Sequence, residues 1–282
     1  MFGKSRGFLH VQMYFAMKRI DLIEVEHNRK TGQKFEYIKP NIIDDCIFYA
    51  DGEPIGFYMS SMPKKMQQLV NIANKEFRSP KVPKSNMSRA TVATKDAYEK
   101  LKLNSKGKQR VDQFSTIIGS IAPKAQFKRP YPNSSSVHLV ESAQTFIKAM
   151  MLLALESEKL IKEILPKQYN QQIELFKDID KKWKFGNMFT SSISNYNISA
   201  PFHQDNGNIK GTVNVIICKK KDAYGGDLHI PDYNATIGQK DGSILVYPAW
   251  RNMHGVTLIT PTKKDGYRNS LVFYPLKAFV GI

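Results

Sequence analysis

His203 and Asp205 stand two residues apart in PFHQDNGN, and His254 comes much later in AWRNMHGV. On an extended backbone, residues two apart face the same side, so the first pair can reach one ion. Two imidazoles and one carboxylate occupy one face of a non-haem iron and leave three positions open for a cosubstrate and oxygen. A lone His-x-Asp reads as ordinary surface residues, and it gains weight from the order of three later segments. These are GGDLHIP, KDGSILVYPAWRNMHGV and YRNSLVFYPLKAF. Gly225-Gly226 permits a tight bend before a strand, and Asp241-Gly242 opens the strand before the second histidine.

Arg268 supplies a charge that such a centre can use. A keto diacid held on iron through its keto-acid end leaves a far carboxylate, which an arginine grips with two parallel hydrogen bonds. Ser270, two residues on, shares the strand face and offers a hydroxyl donor. His229, in DLHIP, reads as a pocket wall or a structural histidine, because a fourth protein ligand would consume an open iron position. Zinc hydrolysis fits less well. No general-base motif accompanies the ligands, and Arg268-x-Ser270 would have no task.

The elements that must position these groups are legible in outline. Asp45–Ala50 and Ile55–Tyr58 read as a hairpin around Asp51-Gly52. Met66, Leu69, Val70, Ala73 and Phe77 recur at helical spacing after Pro63. SPKVPKSNMSRATVATK is irregular and carries Lys81, Lys84 and Arg89. A second basic loop, Ala122 to Ser136, mixes Lys124, Lys128 and Arg129 with Phe127 and Tyr131, charges that seek phosphate beside rings that can stack on bases. Leu139 to Leu165 is expected as one helix ending at Pro166, with another over Gln168 to Ile179.

After Trp183 the pattern turns to short strands, at Phe189–Ile198, Gly211–Cys218, Asp227–Ile230, Gly242–Pro248, Gly255–Ile259 and Asn269–Tyr274. Their number argues for a double-sheet jelly roll or related barrel. The expected fold class is therefore α+β, with a jelly-roll (double-stranded beta-helix) catalytic core and packed helices. Residues 1–138 form a mixed amino-terminal region with basic loops, 139–182 a helical support and 183–282 the core, all within one compact unit.

A chain of 282 residues can bury a substantial core without staples, and 41% hydrophobic with 11% aromatic residues excludes global disorder. Forty-two Lys plus Arg against twenty-five Asp plus Glu give a formal charge of +17. Such an excess steers polyanions to the surface, and DNA is the expected partner. The only cysteines, Cys46 and Cys218, make no disulfide framework, which points to a reducing intracellular setting, cytoplasmic or nuclear. The first twenty residues are too interrupted by charge for a signal peptide, and no run of eighteen apolar residues exists, so no membrane span is expected. No protein partner is evident, and a monomer is expected.

From about Asn195 to Phe279 the chain resembles the Fe(II)/2-oxoglutarate-dependent dioxygenase superfamily, and its R-N-S-L-V-F-Y strand is similar to that of the TET/JBP branch. The resemblance implies a dioxygenase with Fe(II) and the cosubstrates 2-oxoglutarate and O2. It implies His203, Asp205 and His254 as metal ligands, and Arg268 and Ser270 as 2-oxoglutarate contacts. It further implies Asn208 and Tyr274 as base contacts, consistent with an amide that can bond a pyrimidine edge and a ring that can cover its face. The implied reaction is oxidation of a pyrimidine 5-methyl group in DNA. Leu276 stands where methylcytosine oxidases of that branch place a histidine, so 5-methylcytosine and thymine both remain open. The cysteine-rich zinc regions of the animal enzymes are missing, which leaves DNA contacts to Lys84, Arg89, Lys128, Arg129 and Tyr131. A protein or small-molecule hydroxylase needs the same triad but has no use for the charge. A non-enzymatic DNA-binding protein needs the charge but not the five clustered residues.

Overall fold

The computed structural model describes residues 17–33, 35, 37–86 and 113–282. In chain order the strands are β1 (Lys18–Asp21), β2 (Cys46–Ala50), β3 (Glu53–Met59), β4 (Ser85–Asn86), β5 (Phe114–Ile121), β6 (Asn133–Ser134), β7 (Ser191–Tyr196), β8 (Ala200–His203), β9 (Asn214–Lys221), β10 (Ala223–Gly225), β11 (Leu228–Ile230), β12 (Ala235–Ile237), β13 (Ile244–Tyr247), β14 (His254–Val256), β15 (Ile259–Pro261) and β16 (Tyr267–Tyr274). The helices are α1 (Lys64–Arg78), α2 (Gln144–Ile164) and α3 (Pro166–Leu175). The large sheet runs β1-β2-β3-β13-β9-β16-β7-β5-β4, with β6 added beside β5. A second sheet runs β12-β11-β14-β8, and β10 pairs with β15.

Alternation along the central strands gives the large sheet two different faces. Phe57 and Met59, Val215 and Ile217, Ile244 and Val246, Leu271 and Phe273 pack with Met66, Val70, Phe77, Phe146, Met150 and Leu153 of α1 and α2. The intervening Tyr58, Leu245 and Tyr247 point the other way and meet Leu228, Ile230, Ala235 and Ile237 of the second sheet. Each of these large apolar side chains contributes roughly 1.5–3 kcal/mol when fully buried. The helices therefore lie on one side of the large sheet and the small sheet on the other.

Local chemistry accounts for several boundaries. Asp51 and Gly52 both have positive φ (53° and 78°), the backbone a tight β2–β3 hairpin needs. In α1, Met66, Val70, Ala73 and Phe77 line the buried face. The helix expected from Leu139 begins only at Gln144, and residues 136–143 form two short 3-10 turns that leave Leu139 88% exposed. Their polar groups bond to β5 instead. The Ser135 hydroxyl donates to the Ile117 carbonyl at 2.6 Å, and the His138 Nε2 accepts from the Gly119 N–H at 2.8 Å. The strands β1, β5, β8 and β12 are not expected from the sequence. With β1 and β5, amino-terminal residues extend the same large sheet that holds β9 and β16.

Glu158 on α2 ties the helices to the sheet. It is buried, and its carboxylate accepts from the Asn187 N–H at 2.6 Å, the Asn187 amide at 2.8 Å and the Met188 N–H at 3.1 Å. Burial pushes its pKa up while these three donors oppose the rise. The turn it holds feeds directly into β7. Glu158→Ala leaves the three donors unpaired and is expected to lower unfolding free energy by about 2–4 kcal/mol. Urea unfolding checks this, and a loss indistinguishable from zero would remove Glu158 as the clamp.

Candidate active site

The antiparallel pairing of β14 with β8 sets His254 directly across from His203, with ring centroids 4.5 Å apart. Strand β8 ends at His203, so Asp205 lies just past it rather than within an extended run. Its N–H donates to the Ala249 carbonyl at 3.1 Å, and that turn brings Asp205 Oδ1 to 3.6 Å from His203 Nε2. One ligand atom from each of His203, Asp205 and His254 lies within 4.8 Å of the others. The three side chains thus form a two-His-one-Asp facial triad.

The surrounding hydrogen bonds fit a metal. His203 Nδ1 meets the Pro201 carbonyl at 2.8 Å, and His254 Nδ1 meets the Asn252 carbonyl at 3.1 Å. A carbonyl only accepts, so each Nδ1 carries a proton, and Nε2 is the atom left to face an ion. Burial and the neighbouring His203 lower the pKa of His254, which favours the neutral ring that a ligand must be. Asp205 Oδ2 is held from behind. Asn214 donates to it at 3.0 Å and Asn208 at 3.3 Å, and the Asn208 amide also donates to Asn214 Oδ1 at 2.9 Å. The Asp205 Oδ1 atom therefore faces the imidazoles.

A cavity of about 350 Å³ opens between the two sheets beside the triad. Alternation along β16 turns Arg268, Ser270, Val272 and Tyr274 into it, and β9 adds Asn214 and Ile216. Arg268 and Ser270 are each 3% exposed. The Arg268 Nε is buried and, among the described residues, has no hydrogen-bond partner. Two imidazoles with one carboxylate suit Fe(II), and a buried guanidinium with an unused N–H in the same cavity suits the far end of a diacid. Burial and the nearby Asp205 carboxylate push the Tyr274 phenol well above its ordinary range, so it stays protonated. Asn208 lines the cavity too, with its amide already donating within the Asp205 cluster.

His229 is a correction to the expectation of a pocket wall. Leu228 lines the cavity, so its neighbour on the strand faces the other side of the small sheet. There His229 is buried against Phe35 and Phe202 and meets the Thr236 hydroxyl at 2.8 Å. Burial lowers its pKa to about 4, which leaves a neutral structural histidine.

The expected nucleic-acid contacts divide. Lys84 has a structural task of its own. Its Nζ donates to the Phe77 carbonyl at 2.9 Å and to the Ser79 carbonyl, closing the end of α1, and burial lowers its pKa. Arg129 is half-buried, with Nε donating to the Ala122 carbonyl at 3.0 Å. Lys128 is exposed, and Tyr131 is 74% exposed. Arg89 lies outside the described residues. The start of the loop is anchored, because Ala122 packs on the same apolar cluster as Leu276, which lines the cavity. Sequence reasoning missed Asn214, although it sits two residues before Ile216 on a readable strand face. It also missed Gln239, a lone glutamine before a turn that carries no motif.

The site and the two-layered sheet define a 2-oxoglutarate–Fe(II) oxygenase-like protein. The Tet_JBP family model, described as the oxygenase domain of the 2OGFeDO superfamily, matches residues 122–277, more than half of the chain, and the chain belongs to that family. No curated protein matches the sequence. Among solved structures, one described as NgTET1 in complex with 5mC DNA aligns over 99% of this chain and 93% of its own, with 14% identity and a TM-score of 0.58. That likeness is one of fold. OsALKBH1 aligns over 85% of this chain and 100% of its own, with 12% identity and a TM-score of 0.38. An oxidoreductase of the 2OG-Fe(II) oxygenase family from Burkholderia pseudomallei aligns over 73% and 88%, with 12% identity and a TM-score of 0.39.

Removing the group behind Asp205 tests the metal centre directly. Asn214→Ala is expected to weaken metal affinity about 10–100-fold, because outer partners fix the orientation of ligands. Titration with Mn(II) followed by electron paramagnetic resonance reads this, and unchanged affinity would show that Asp205 needs no support.

Proposed function

We propose that this chain is an Fe(II)- and 2-oxoglutarate-dependent dioxygenase that oxidises the 5-methyl group of a pyrimidine in DNA. The observation that carries the reading is one cavity holding both the triad and the buried Arg268 with its unpaired Nε. The two facing sheets then correspond to the halves of a double-stranded beta-helix, with the cavity between them. Fe(II), 2-oxoglutarate and O2 supply the oxidising chemistry, with succinate and CO2 as coproducts.

His203, Asp205 and His254 hold the metal on one face, and the asparagine pair keeps Asp205 turned toward it. Arg268 and Ser270 hold the far carboxylate of the cosubstrate. Tyr274, half-buried in the cavity with its hydroxyl protonated, covers the face of the base, and Leu276 packs an apolar edge beside it. That apolar edge suits the methyl side of either 5-methylcytosine or thymine. The family assignment, the +17 charge and the similarity in fold to a TET enzyme bound to DNA support a nucleic-acid substrate. Lys128 and the exposed ring of Tyr131 supply phosphate and stacking contacts from the anchored loop. A methyl group inside a duplex must leave the stack, at a cost of a few kcal/mol.

Mass analysis of nucleosides tests the reading, after incubation of methylated and unmethylated DNA with the protein, Fe(II), 2-oxoglutarate and O2. One added oxygen on 5-methylcytosine or thymine is expected. It should be lost with His203→Ala, and restored by excess 2-oxoglutarate with Arg268→Ala. No change in any base, with succinate still formed, would move the substrate to a protein or small molecule. Tyr274→Ala is expected to depress base oxidation by about tenfold or more, on the order of one stacking contact, while uncoupled succinate formation falls less. Equal losses, read from parallel succinate and nucleoside assays, would remove its stacking role.

A further inference from the structure

Gln239 lies in the cavity with nothing to do. It is 1% exposed and lines the cavity, yet among the described residues neither Oε1 nor Nε2 has a hydrogen-bond partner. A buried amide left unpaired is costly, so such a group calls for a partner that binds there. Its backbone is fixed on both sides. The Gln239 N–H donates to Asp227 Oδ1 at 2.8 Å, and the Gln239 carbonyl accepts from the Cys218 thiol at 3.6 Å.

Those two anchors place the Gln239 backbone at the Arg268 end of the cavity, which both side chains line. Cys218 stands opposite Ser270 in the β9–β16 pairing, and the Arg268 guanidinium acts on the Cys218 thiol. Next to Asp227, a Cβ at Gly226 would lie 3.0 Å from Arg268 Nε, so the guanidinium side chain runs close against this glycine. Asn214 and Tyr274, in contrast, mark the other end of the same two strands, where Asp205 sits. Arg268, Ser270 and Gln239 therefore converge away from the Asp205 end.

We propose that the Gln239 amide is a further donor to the far carboxylate of a bound diacid, beside Arg268 and Ser270. This rests on the reading of the cavity as a 2-oxoglutarate site. A neutral N–H to a carboxylate is a charge-assisted bond, and its loss corresponds to about a tenfold weaker dissociation constant.

The test compares 2-oxoglutarate with pyruvate, a 2-oxo acid that lacks the far carboxylate. Dissociation constants are measured by calorimetry on the full chain loaded with Mn(II). Gln239→Met keeps the length of the side chain without its polar atoms. It is expected to bind 2-oxoglutarate about tenfold more weakly and pyruvate as wild type does. Gln239→Glu, which adds a like charge, should weaken 2-oxoglutarate further and again spare pyruvate. Thermal unfolding without ligand confirms folding, and removal of two unpaired buried atoms should leave Gln239→Met at least as stable as wild type. Unchanged 2-oxoglutarate affinity in both variants, or equal losses for the two acids, overturns the role of Gln239 while leaving the cavity reading intact. Wild-type protein that binds neither acid overturns both.

Discussion

A slip of one residue in the register of β16 would dismantle the site. Arg268, Ser270, Val272 and Tyr274 face the cavity, while Leu271 and Phe273 face the helices. Because side chains alternate, a shift by one would drive an arginine and a tyrosine into the apolar core and empty the cavity of its charge. The register is held from both sides. Strand β9 pairs with β16 from Tyr267 to Phe273, and β7 pairs from Asn269 to Tyr274. The apolar packing of Leu271 and Phe273 in the core on the helix side of the sheet, where Phe273 meets Phe185 and Phe189, therefore aims Arg268, although it touches no ligand.

The same pairing concentrates positive charge in a place where it is expensive. Arg268 stands directly opposite Lys220, and both side chains are largely buried. Like charges across a strand pair repel, and a low-dielectric interior strengthens the repulsion. Relief on the protein side is limited. Lys220 donates to the Gly225 carbonyl at 2.7 Å and lies 3.9 Å from Asp227 Oδ1, and burial lowers its pKa. Arg268 keeps an N–H unpaired. An anionic group in the cavity would offset both the repulsion and the unused donor, so the charge at this end suits a carboxylate. At the other end, two imidazoles and one carboxylate suit a metal cation. The polarity of the cavity thus matches a ligand that bridges a metal and a guanidinium.

Much of this is legible in the residues. His203, Asp205 and His254, with Arg268 and Ser270, stand in motifs whose order carries the information, and the structure brings them to one cavity. Strands rich in β-branched residues are readable, as is the Asp51-Gly52 turn. What escapes are elements whose signal comes from long-range pairing. FSTIIGSI of β5 mixes polar and apolar residues because one neighbour is β7 and its ends meet two-residue strands. The start of α2 is not readable because Ser135 and His138 bond to β5, and the Ser135 hydroxyl caps a short 3-10 turn rather than the α-helix. His229 misleads because a three-residue strand gives no inward or outward cue, and only the position of Leu228 settles which face is which.

Charge is the least reliable guide at the level of single residues. Lys84 lies in a basic, proline-broken stretch, the composition expected of a phosphate-seeking loop, yet its ammonium closes the carbonyl end of α1. Arg129 spends its Nε on the backbone of its own loop. A net charge describes the long-range field that a polyanion meets, and the field depends little on which cation bonds where. A cation that spends donors on carbonyls has fewer left for a particular phosphate. The division of labour follows from this difference. Half-buried cations such as Arg129 shape the loop, exposed ones such as Lys128 reach outward, and the start of the loop, Ala122, packs on the same apolar cluster as the cavity-lining Leu276.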